Sequence, residues 1–320
     1  MCALNIAAYV FGVIGLLTVA AKFYRFLVFT YAYFPGLHDR EIEKYRWSSK
    51  PYALVTAATD GIGKALATEL YRRGFNLIIH GRNAEKLAAV RDTIRASGNQ
   101  EGDVRIWRQD AGKGRWDPTQ LLELTEGLDL TVVALVNGGS DVKTTPIDGQ
   151  TDDEVHHVMS FNFFFSVFVI RTLLPSLRAT TSRGPVTLFG LGSLVTVAAP
   201  PYLAIYGASK SALEFVLRGI AADERFAKRG HNLNIKYLQV GNVNSAGNTT
   251  PPDFQTPTSE AFAKDLIRRI DAPWRWAAAN PVHAVMAYFV GLLPEQSVEK
   301  MASQTMEKQW GPGLKGKRSD

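Results

Sequence analysis

A glycine-rich turn between two patterned segments constrains the fold of this chain more than any other feature. Tyr52-Ala-Leu-Val-Thr56 is apolar enough for a buried strand, and residues 61–73 place Leu66 and Leu70 on one helical face. The turn that joins the segments is Thr56-Ala-Ala-Thr-Asp-Gly-Ile-Gly63. Glycines in such a turn let a pyrophosphate approach the backbone at a helix N-terminus. The pattern therefore predicts a phosphate loop in an α/β fold with a doubly wound parallel sheet.

Further apolar segments along the chain predict the remaining strands of that sheet. They are residues 75–79, 104–107, 130–136, 186–189 and 234–240. Segments with helical character separate them, at residues 84–95, 118–126, 153–177 and 204–218. At 320 residues with 46% hydrophobic residues, the chain is long enough for one such domain plus extensions. We predict a single Rossmann-type domain over residues 51–310.

Residues at the predicted C-terminal edge of the sheet are candidates for binding a dinucleotide. They are Thr56, Ala57, Thr59, Asp60, Gly61, Ile62 and Gly63 in the phosphate loop, and Arg82, Asp110, Asn137 and Val243 after later strands. Arg82 follows the second strand, where the adenosine ribose would lie. A carboxylate there binds a 2′-hydroxyl, whereas an arginine suits a 2′-phosphate. The cofactor prediction is NADPH/NADP+, and the alternative for Arg82 is a solvated loop cation.

Ser193, Tyr206 and Lys210 form a candidate catalytic group. Their spacing places Tyr206 and Lys210 on one helical face, and Ser193 follows the strand predicted at residues 186–189. An ammonium beside a phenol favours the ionised phenol, whose ordinary pKa is near 10. The serine can hydrogen-bond a carbonyl oxygen to which the tyrosine gives a proton. Asn162, polar in an apolar helix, is either a satisfied core amide or the holder of a water in a proton relay beside Lys210.

The ends of the chain predict an attachment to a membrane. Residues 1–21 carry no charged side chain and approach the length of a membrane-spanning helix, and Lys22 and Arg25 follow them. Charge after the apolar core favours an uncleaved anchor whose C-terminal side is cytosolic. Residues 26–37 are predicted to lie at the interface or to make a short second pass, with a linker at 38–50.

Charge and cysteine usage exclude other classes of function. The single cysteine, Cys2, permits no intramolecular disulfide and no metal cluster, so we predict no metal and a reducing compartment. The net charge is +6, but the basic side chains are interspersed with acidic ones, which argues against nucleic acid as a partner. Attraction to anionic lipid headgroups explains the basic surface better. A basic tail at residues 311–320 either resembles a dibasic endoplasmic-reticulum retrieval signal or is a solvated tail.

Two late segments are candidates for the substrate site. Residues 246–257 are polar and rich in proline and threonine, which is typical of a lid after a late strand. Residues 281–294 are apolar but too short to cross a membrane. We predict that they form part of an acyl-binding wall or a helix that leans on the membrane.

The order of these features resembles the short-chain dehydrogenase/reductase family over about residues 50–310. The resemblance rests on the phosphate loop, Asn162, Ser193, Tyr206 and Lys210. It implies that these four residues are catalytic, that Tyr206 and Lys210 also contact the cofactor, and that the nicotinamide supplies a hydride. A narrower resemblance is to the membrane-bound very-long-chain 3-oxoacyl-CoA reductases and related hydroxysteroid dehydrogenases. It rests on the N-terminal anchor, on Ala58-Thr-Asp-Gly-Ile-Gly-Lys64 in the loop, and on the C-terminal run from Pro257 through His283 to Pro294. That likeness implies a ketoreductase of the endoplasmic-reticulum membrane that acts on a lipophilic ketone or acyl thioester.

Three departures from the family pattern keep other functions open. Ala57 stands at the first glycine of the loop, Asn137-Gly-Gly-Ser140 replaces Asn-Asn-Ala-Gly, and Val240-Gly241 replaces Pro-Gly. One alternative is a paralogue that reduces a ketone, or oxidises an alcohol, in specialised polyketide, lipid or steroid metabolism. Another is a catalytically silent cofactor-binding scaffold in a membrane complex, against which the complete Asn-Ser-Tyr-Lys set argues. A homo-oligomer is compatible with the sequence.

Overall fold

A computed structural model of the chain describes residues 2–33, 42–98, 102–139, 145–270 and 276–314. Some of the residues discussed above lie outside these ranges: residues 34–37 of the predicted interfacial segment, 38–41 of the linker, Ser140 and 315–318 of the basic tail. The described strands form one seven-stranded sheet, in the order β3-β2-β1-β4-β5-β6-β7. The predicted doubly wound α/β fold is therefore confirmed.

All neighbouring strands of the sheet are parallel. The strands are β1 Pro51–Val55, β2 Asn76–Gly81, β3 Val104–Arg108, β4 Asp129–Leu135, β5 Val186–Leu191, β6 Leu233–Gln239 and β7 Trp276–Ala278. β1 and β5 are buried along their whole length, as continuous apolar runs covered on both faces require. The strand order reverses between β1 and β4, and ligands bind at the C-terminal edge beside such a reversal.

Helices cover both faces of the sheet. The described helices are α1 Cys2–Tyr33, α2 Gly61–Arg72, α3 Ala84–Ala96, α4 Thr119–Thr125, α5 Asp152–Met159, α6 Phe165–Thr180, α7 Val195–Ala198, α8 Ala204–Phe226, α9 Ser259–Arg269, α10 Pro281–Val290 and α11 Glu295–Leu314, and not all of them cover the sheet. One apolar cluster joins the sheet to α2, α3 and α9, and a second joins the opposite face to α6 and α8. Successive residues of β1, such as Ala53 and Leu54, belong to different clusters because their side chains point to opposite faces of the sheet.

The helix predicted over residues 153–177 is interrupted by a π-helical turn. α5 begins at a capping box in which Thr151 and Glu154 satisfy each other's backbone N–H groups. Residues Ser160–Phe164 then form the π turn, and α6 continues from Phe165. Such turns frequently occur at functional sites, and this one contains Asn162.

α1 continues well beyond the predicted anchor. It passes through Lys22 and Arg25 as one 32-residue helix, about 48 Å long. Its end docks on the folded domain, because the Tyr33 hydroxyl donates to the Ala278 carbonyl oxygen at 2.6 Å and the Arg269 guanidinium lies 5.2 Å from the tyrosine ring centroid. Residues 26–33 therefore do not make a separate second pass.

α1 is one of two described helices that are long and apolar enough to cross a membrane. The qualifying part of α1 is Asn5–Tyr31, and its most apolar stretch of 18 residues is not buried in the described part of the chain. The other is the combined helix Asp152–Thr180, which covers the sheet as a partly buried core helix.

Candidate active site

The phosphate loop brings the N-terminus of α2 against the C-terminal end of β1. Asp60 caps α2, and its carboxylate accepts from the Gly61 N–H at 2.7 Å. Gly61 has a φ of +50°, and a Cβ at Gly63 would overlap the Ala57 carbonyl. Glycine is therefore required at position 63, where a Cβ has no room, and favoured at position 61, where φ is positive. The loop presents helix N–H groups at the sheet edge, an arrangement that favours a bound phosphate.

Other loop residues hold this turn on the sheet. The Thr56 hydroxyl accepts from the Val136 N–H at 2.8 Å, which ties β1 to the end of β4. Thr59 packs against Gly81, where a Cβ would lie 2.6 Å from its methyl group. The side chain of Ile62 packs on the apolar core. These contacts place Thr56, Thr59 and Ile62 around the predicted pyrophosphate position, and their contacts with cofactor stay a prediction.

The buried His80 supports the phosphate loop through a hydrogen bond, and this role was not predicted from the sequence. The strand predicted at residues 75–79 stops before His80, whereas β2 continues through Gly81 and buries the ring. Its Nδ1 accepts from the Ala57 N–H at 3.2 Å, and its Nε2 lies 3.0 Å from the Gln109 carbonyl oxygen to which it donates. Burial lowers the pKa of His80 to about 3, so the ring is neutral and can accept. The apolar run ends at Ile79, so no pattern in the sequence indicates this role.

Ala57 adopts the left-handed backbone conformation, with a φ of +50°. The family resemblance placed a glycine here, and a side-chain methyl in this region costs on the order of 1 kcal/mol. The hydrogen bond from the Ala57 N–H to His80 holds the residue in this conformation. The strained φ therefore persists in the folded loop.

We expect Ala57→Gly to tighten NADP+ binding several-fold. Glycine removes the cost of the positive φ, so a larger fraction of the free protein holds the binding-competent loop. Titration calorimetry with NADP+ measures the change. Ala58→Gly, next to it and without a positive φ, is the matched control and should not tighten binding. Weaker binding by Ala57→Gly would show that alanine suits this turn.

Arg82 lies at the C-terminal end of β2 with an exposed side chain. Its carbonyl oxygen accepts from Nε of Arg108, the last residue of β3, at 3.5 Å. No carboxylate in the described part of the chain forms an ion pair with Arg82. The Arg108 guanidinium therefore lies beside the backbone of Arg82. Arg108 is a further candidate to bind a 2′-phosphate, and it was missed because the strand predicted at residues 104–107 ends one residue before it.

Asp110 and Val243 have structural roles that the sequence did not indicate. The Asp110 carboxylate accepts from the Gly112 N–H at 3.0 Å and so stabilises the turn after β3. The Val243 side chain is buried in the apolar core. The loop that contains Val243 lies over the phosphate loop, since a Cβ on Gly61 would come within 3.1 Å of Ser245. Contacts of Asp110 and Val243 with a cofactor remain predictions.

Asn137 offers a buried polar group beside Lys210. Its side chain is 1% exposed, and neither amide atom has a partner within the described residues. An unsatisfied buried amide costs roughly 1–3 kcal/mol, so the position fits a polar ligand such as a ribose. Its carbonyl oxygen accepts from Lys210 Nζ at 2.6 Å. Gly138 follows without a side chain, and a Cβ there would lie 3.3 Å from that amine.

The structure brings Ser193, Tyr206 and Lys210 together at the C-terminal edge of the sheet. Ser193 follows β5 and is buried; its hydroxyl accepts from the Val195 N–H at 3.3 Å and lies close enough to the Tyr206 phenol to lower the pKa of that phenol. Lys210 Nζ lies 5.8 Å from the Tyr206 ring centroid and donates to the carbonyl oxygens of Asn137 and Leu191. The lysine is 1% exposed, and burial lowers its pKa to about 7.

The pKa of Tyr206 shifts in the direction opposite to the sequence expectation. Burial raises it, and the hydrogen bond from the Ser193 side chain offsets part of the rise. We expected the Lys210 ammonium to lower it. The expectation was wrong because the lysine amine is directed at two backbone carbonyls and is itself close to half-protonated at neutral pH. Tyr206 therefore carries its proton at neutral pH, which is the state from which a proton donor starts.

Asn162 clamps the loop after β4 and has no free amide hydrogen for a water. Its Oδ1 accepts from the Gly139 N–H at 3.1 Å, and its Nδ2 donates to the carbonyl oxygens of Gly139 and Val158, both at 2.8 Å. The satisfied core amide is thus the interpretation that the geometry matches. Through Gly139, Asn162 fixes the backbone that also carries the Asn137 carbonyl.

Tyr237 and His283 support the site, and neither was among the predicted site residues. The Tyr237 hydroxyl donates to the Lys210 carbonyl oxygen at 3.1 Å. His283 Nδ1 accepts from the Gly241 N–H at 3.2 Å, and its Nε2 lies 3.0 Å from the Gln255 carbonyl oxygen in the predicted lid. Burial lowers the pKa of His283, so it stays neutral and joins the lid to the loop after β6. A tyrosine in a strand pattern carries no signal for this role.

This combination of fold and site is the one that a family of oxidoreductases shares. Residues 51–253 match the short chain dehydrogenase family, so the chain belongs to the short-chain dehydrogenase/reductase family and is an oxidoreductase. Members of this family bind a nicotinamide cofactor.

Curated relatives are fungal enzymes of similar length. The chain is 27% identical over 261 residues to the very-long-chain 3-oxoacyl-CoA reductase of Kluyveromyces lactis, covering 78% of this chain and 73% of that one. It is 29% identical over 269 residues to the reductase of the same name from Eremothecium gossypii, covering 79% and 74%.

Solved structures are similar in fold. One is a short-chain dehydrogenase from Sphingobium yanoikuyae in complex with NADPH, with a TM-score of 0.62 and 18% identity over 75% of this chain and 91% of that chain. Another is a 7beta-hydroxysteroid dehydrogenase, with a TM-score of 0.63 and 16% identity over 79% and 96%. Identities this low show the fold alone.

Proposed function

We propose that this protein is an NADPH-dependent ketoreductase that reduces a carbonyl on a lipophilic substrate, specifically a 3-oxoacyl-CoA-like ketone, to the alcohol. The observation that carries the proposal is the meeting of Ser193, Tyr206 and Lys210 at the sheet edge, next to the unsatisfied amide of Asn137. The names of the curated relatives support the substrate class.

The residues at the sheet edge fit NADPH along its length. The phosphate loop would hold the pyrophosphate at the N-terminus of α2, and Arg82 with Arg108 would bind the 2′-phosphate. Asn137 and Lys210 lie where the nicotinamide ribose would pass. When bound, the nicotinamide supplies the hydride that the carbonyl carbon receives.

Tyr206 and Ser193 would act on the carbonyl oxygen. As the carbon gains a hydride, the oxygen gains negative charge, and Tyr206 transfers its proton to that oxygen to complete the alcohol. The Ser193 hydroxyl hydrogen-bonds the same oxygen and stabilises its developing charge. In its protonated form, the Lys210 ammonium stabilises the phenolate that Tyr206 becomes. Asn162 is a positioning residue, since it acts on this group only through the Gly139 backbone.

Purified protein in detergent tests the proposed substrate class. We expect NADPH oxidation with a long-chain 3-oxoacyl-CoA, at a higher kcat/KM than with a ketone that lacks the thioester. Preference for a ketone without a thioester would favour a paralogue of specialised polyketide, lipid or steroid metabolism. Cofactor binding without turnover of any ketone would favour the silent scaffold and overturn the proposal.

Arg82→Asp is expected to reverse the cofactor preference. Charge-assisted hydrogen bonds contribute roughly 1.5–3 kcal/mol, which corresponds to a ten- to hundred-fold preference for NADPH over NADH. An aspartate repels the 2′-phosphate and accepts from a 2′-hydroxyl. The measurement is kcat/KM for each cofactor with one ketone. Arg95→Asp, at the far end of α3, makes the same change of charge and serves as the control. Equal use of both cofactors by the unmodified protein would remove Arg82 from the site.

We place the protein in the endoplasmic-reticulum membrane with its catalytic domain in the cytosol. The apolar α1 and the positive charges of Lys22 and Arg25 support a membrane attachment with this orientation. Protease digestion of sealed microsomes tests the orientation, and a protected catalytic domain would contradict it.

A further inference from the structure

α10 and the turn after it expose a regular apolar stripe. The exposed large apolar residues are Val285, Tyr288, Phe289, Leu292 and Leu293. Their spacing repeats at three and four residues, so they lie on one helical face. No residue from 281 to 293 is acidic or basic except His283, which is fully buried on the opposite face. The described part of the chain leaves the stripe uncovered, and a charge-free face of this kind marks an interaction surface.

The anchor helix reaches the folded domain next to this stripe. Tyr33, at the end of α1, is hydrogen-bonded to the carbonyl oxygen of Ala278, the last residue of β7. α10 begins three residues later, at Pro281. A three-residue link spans at most about 10 Å, and the helix rises 1.5 Å per residue, so Phe289 lies within roughly 25 Å of the docking point.

The same edge of the sheet carries the anchor, the stripe and the candidate active site. β7 is parallel to β6, so Ala278 lies at the C-terminal edge, where Ser193 also lies. α10 packs against α7, which begins two residues after Ser193. Through His283, α10 also holds the predicted lid at Gln255. The stripe therefore lies next to the docked end of α1 and next to the predicted lid of the candidate active site.

We propose that the stripe on α10 lies in the headgroup–acyl boundary of the bilayer, so that the C-terminal edge of the sheet faces the membrane. A ten-residue apolar helix is too short to cross a bilayer but suits a position in the interface plane, where tyrosine side chains such as Tyr288 are favoured. A lipophilic ketone then reaches the lid from the lipid without passing through water. This substrate route rests on the proposed function, whereas the membrane contact does not.

Depth-dependent quenching in liposomes tests the contact on the full-length chain. Cys2→Ser leaves a cysteine-free background, into which Phe289→Cys or Phe226→Cys introduces one labelling site. Phe226 is 94% exposed at the end of α8, at the opposite edge of the sheet, and is the matched control. In phosphatidylcholine liposomes with doxyl-labelled lipids, we expect the fluorophore at position 289 to be quenched at least fivefold more than the one at 226. Equal quenching at the two positions would overturn the contact. If the label at position 289 is shielded from water but is not quenched by the lipids, and the protein particle has twice the mass of one chain, the stripe binds a second copy instead.

Kinetics on the double variant Phe289→Ser/Leu292→Ser test the substrate route. We expect the KM for a ketone dissolved in the liposome bilayer to rise at least tenfold, with kcat and the KM for a small water-soluble ketone unchanged. Phe226→Ser should change neither KM. Thermal unfolding confirms that the double variant is folded, and an equal rise in both KM values would overturn the route. If the unmodified protein reduces neither ketone, the proposed function fails, while the quenching result still decides the membrane contact.

Discussion

Tyr206→Phe is expected to lower kcat for ketone reduction by about 10²- to 10⁴-fold while leaving the fold and the affinity for NADP+ close to those of the unmodified protein. The substitution removes the phenol hydroxyl and keeps the ring. The proton donor to the carbonyl oxygen is lost, whereas the buried Ser193 hydroxyl keeps the hydrogen bond that it accepts from the Val195 N–H. Burial raises the pKa of Tyr206, so the residue carries its proton at neutral pH and has one to give.

Single-turnover reduction with saturating NADPH measures the loss directly, and titration calorimetry measures the affinity for NADP+. Tyr52→Phe is the matched control, because that hydroxyl is also hydrogen-bonded, to Asp103 at 2.8 Å, but lies at the start of β1 on the opposite edge of the sheet. Its kcat should be unchanged. If Tyr206→Phe binds NADP+ and its kcat is similar to that of the unmodified protein, another group must donate the proton.

The fold could be predicted because its signals are local. Strands covered by helices on both faces need continuous apolar runs, and β1, β4 and β5 have them. β7 was missed because three residues are too few to show a period. The docking of α1 was missed for another reason: the bond from Tyr33 to Ala278 joins residues 245 positions apart, and no local pattern encodes such a contact.

The candidate site could be predicted in position but not in detail. Parallel strands end at one edge, so Asn137 and Ser193, each after an apolar run, had to lie near each other. What periodicity does not encode is where a side chain directs its polar atoms once it is buried. Three local features depend on the direction of buried polar atoms and were therefore missed. They are the support of Ala57 by His80, the hydrogen bonds of Asn162 to Gly139 and the direction of the pKa shift of Tyr206.

Lys210→Met is expected to lower kcat by a similar 10²- to 10⁴-fold and, unlike Tyr206→Phe, to weaken NADP+ binding and destabilise the fold. Methionine fills much of the same volume but leaves the buried carbonyl oxygens of Asn137 and Leu191 without their donor. Each unsatisfied carbonyl costs roughly 1–3 kcal/mol, and the loop that carries Asn137 loses its support. Calorimetry for NADP+ and denaturant unfolding in detergent measure the two effects. Unchanged affinity and stability would show that Lys210 does not hold this loop.

The pH dependence separates the charge of Lys210 from its hydrogen bonds. Burial lowers its pKa from the ordinary 10.5 to about 7, so between these values the unfolded chain binds the proton that the folded protein has lost. Stability of the unmodified protein relative to Lys210→Met should therefore rise with pH over that window, by up to about 1.4 kcal/mol per unit, and this contribution is lost as pH falls through about 7. Activity should move the other way, because a neutral amine cannot stabilise the Tyr206 phenolate. We expect kcat/KM for NADPH, which reports groups of the free enzyme, to decline as pH rises through neutrality and to be flat there in Lys210→Met. A decline that survives the substitution would assign the titration to another group.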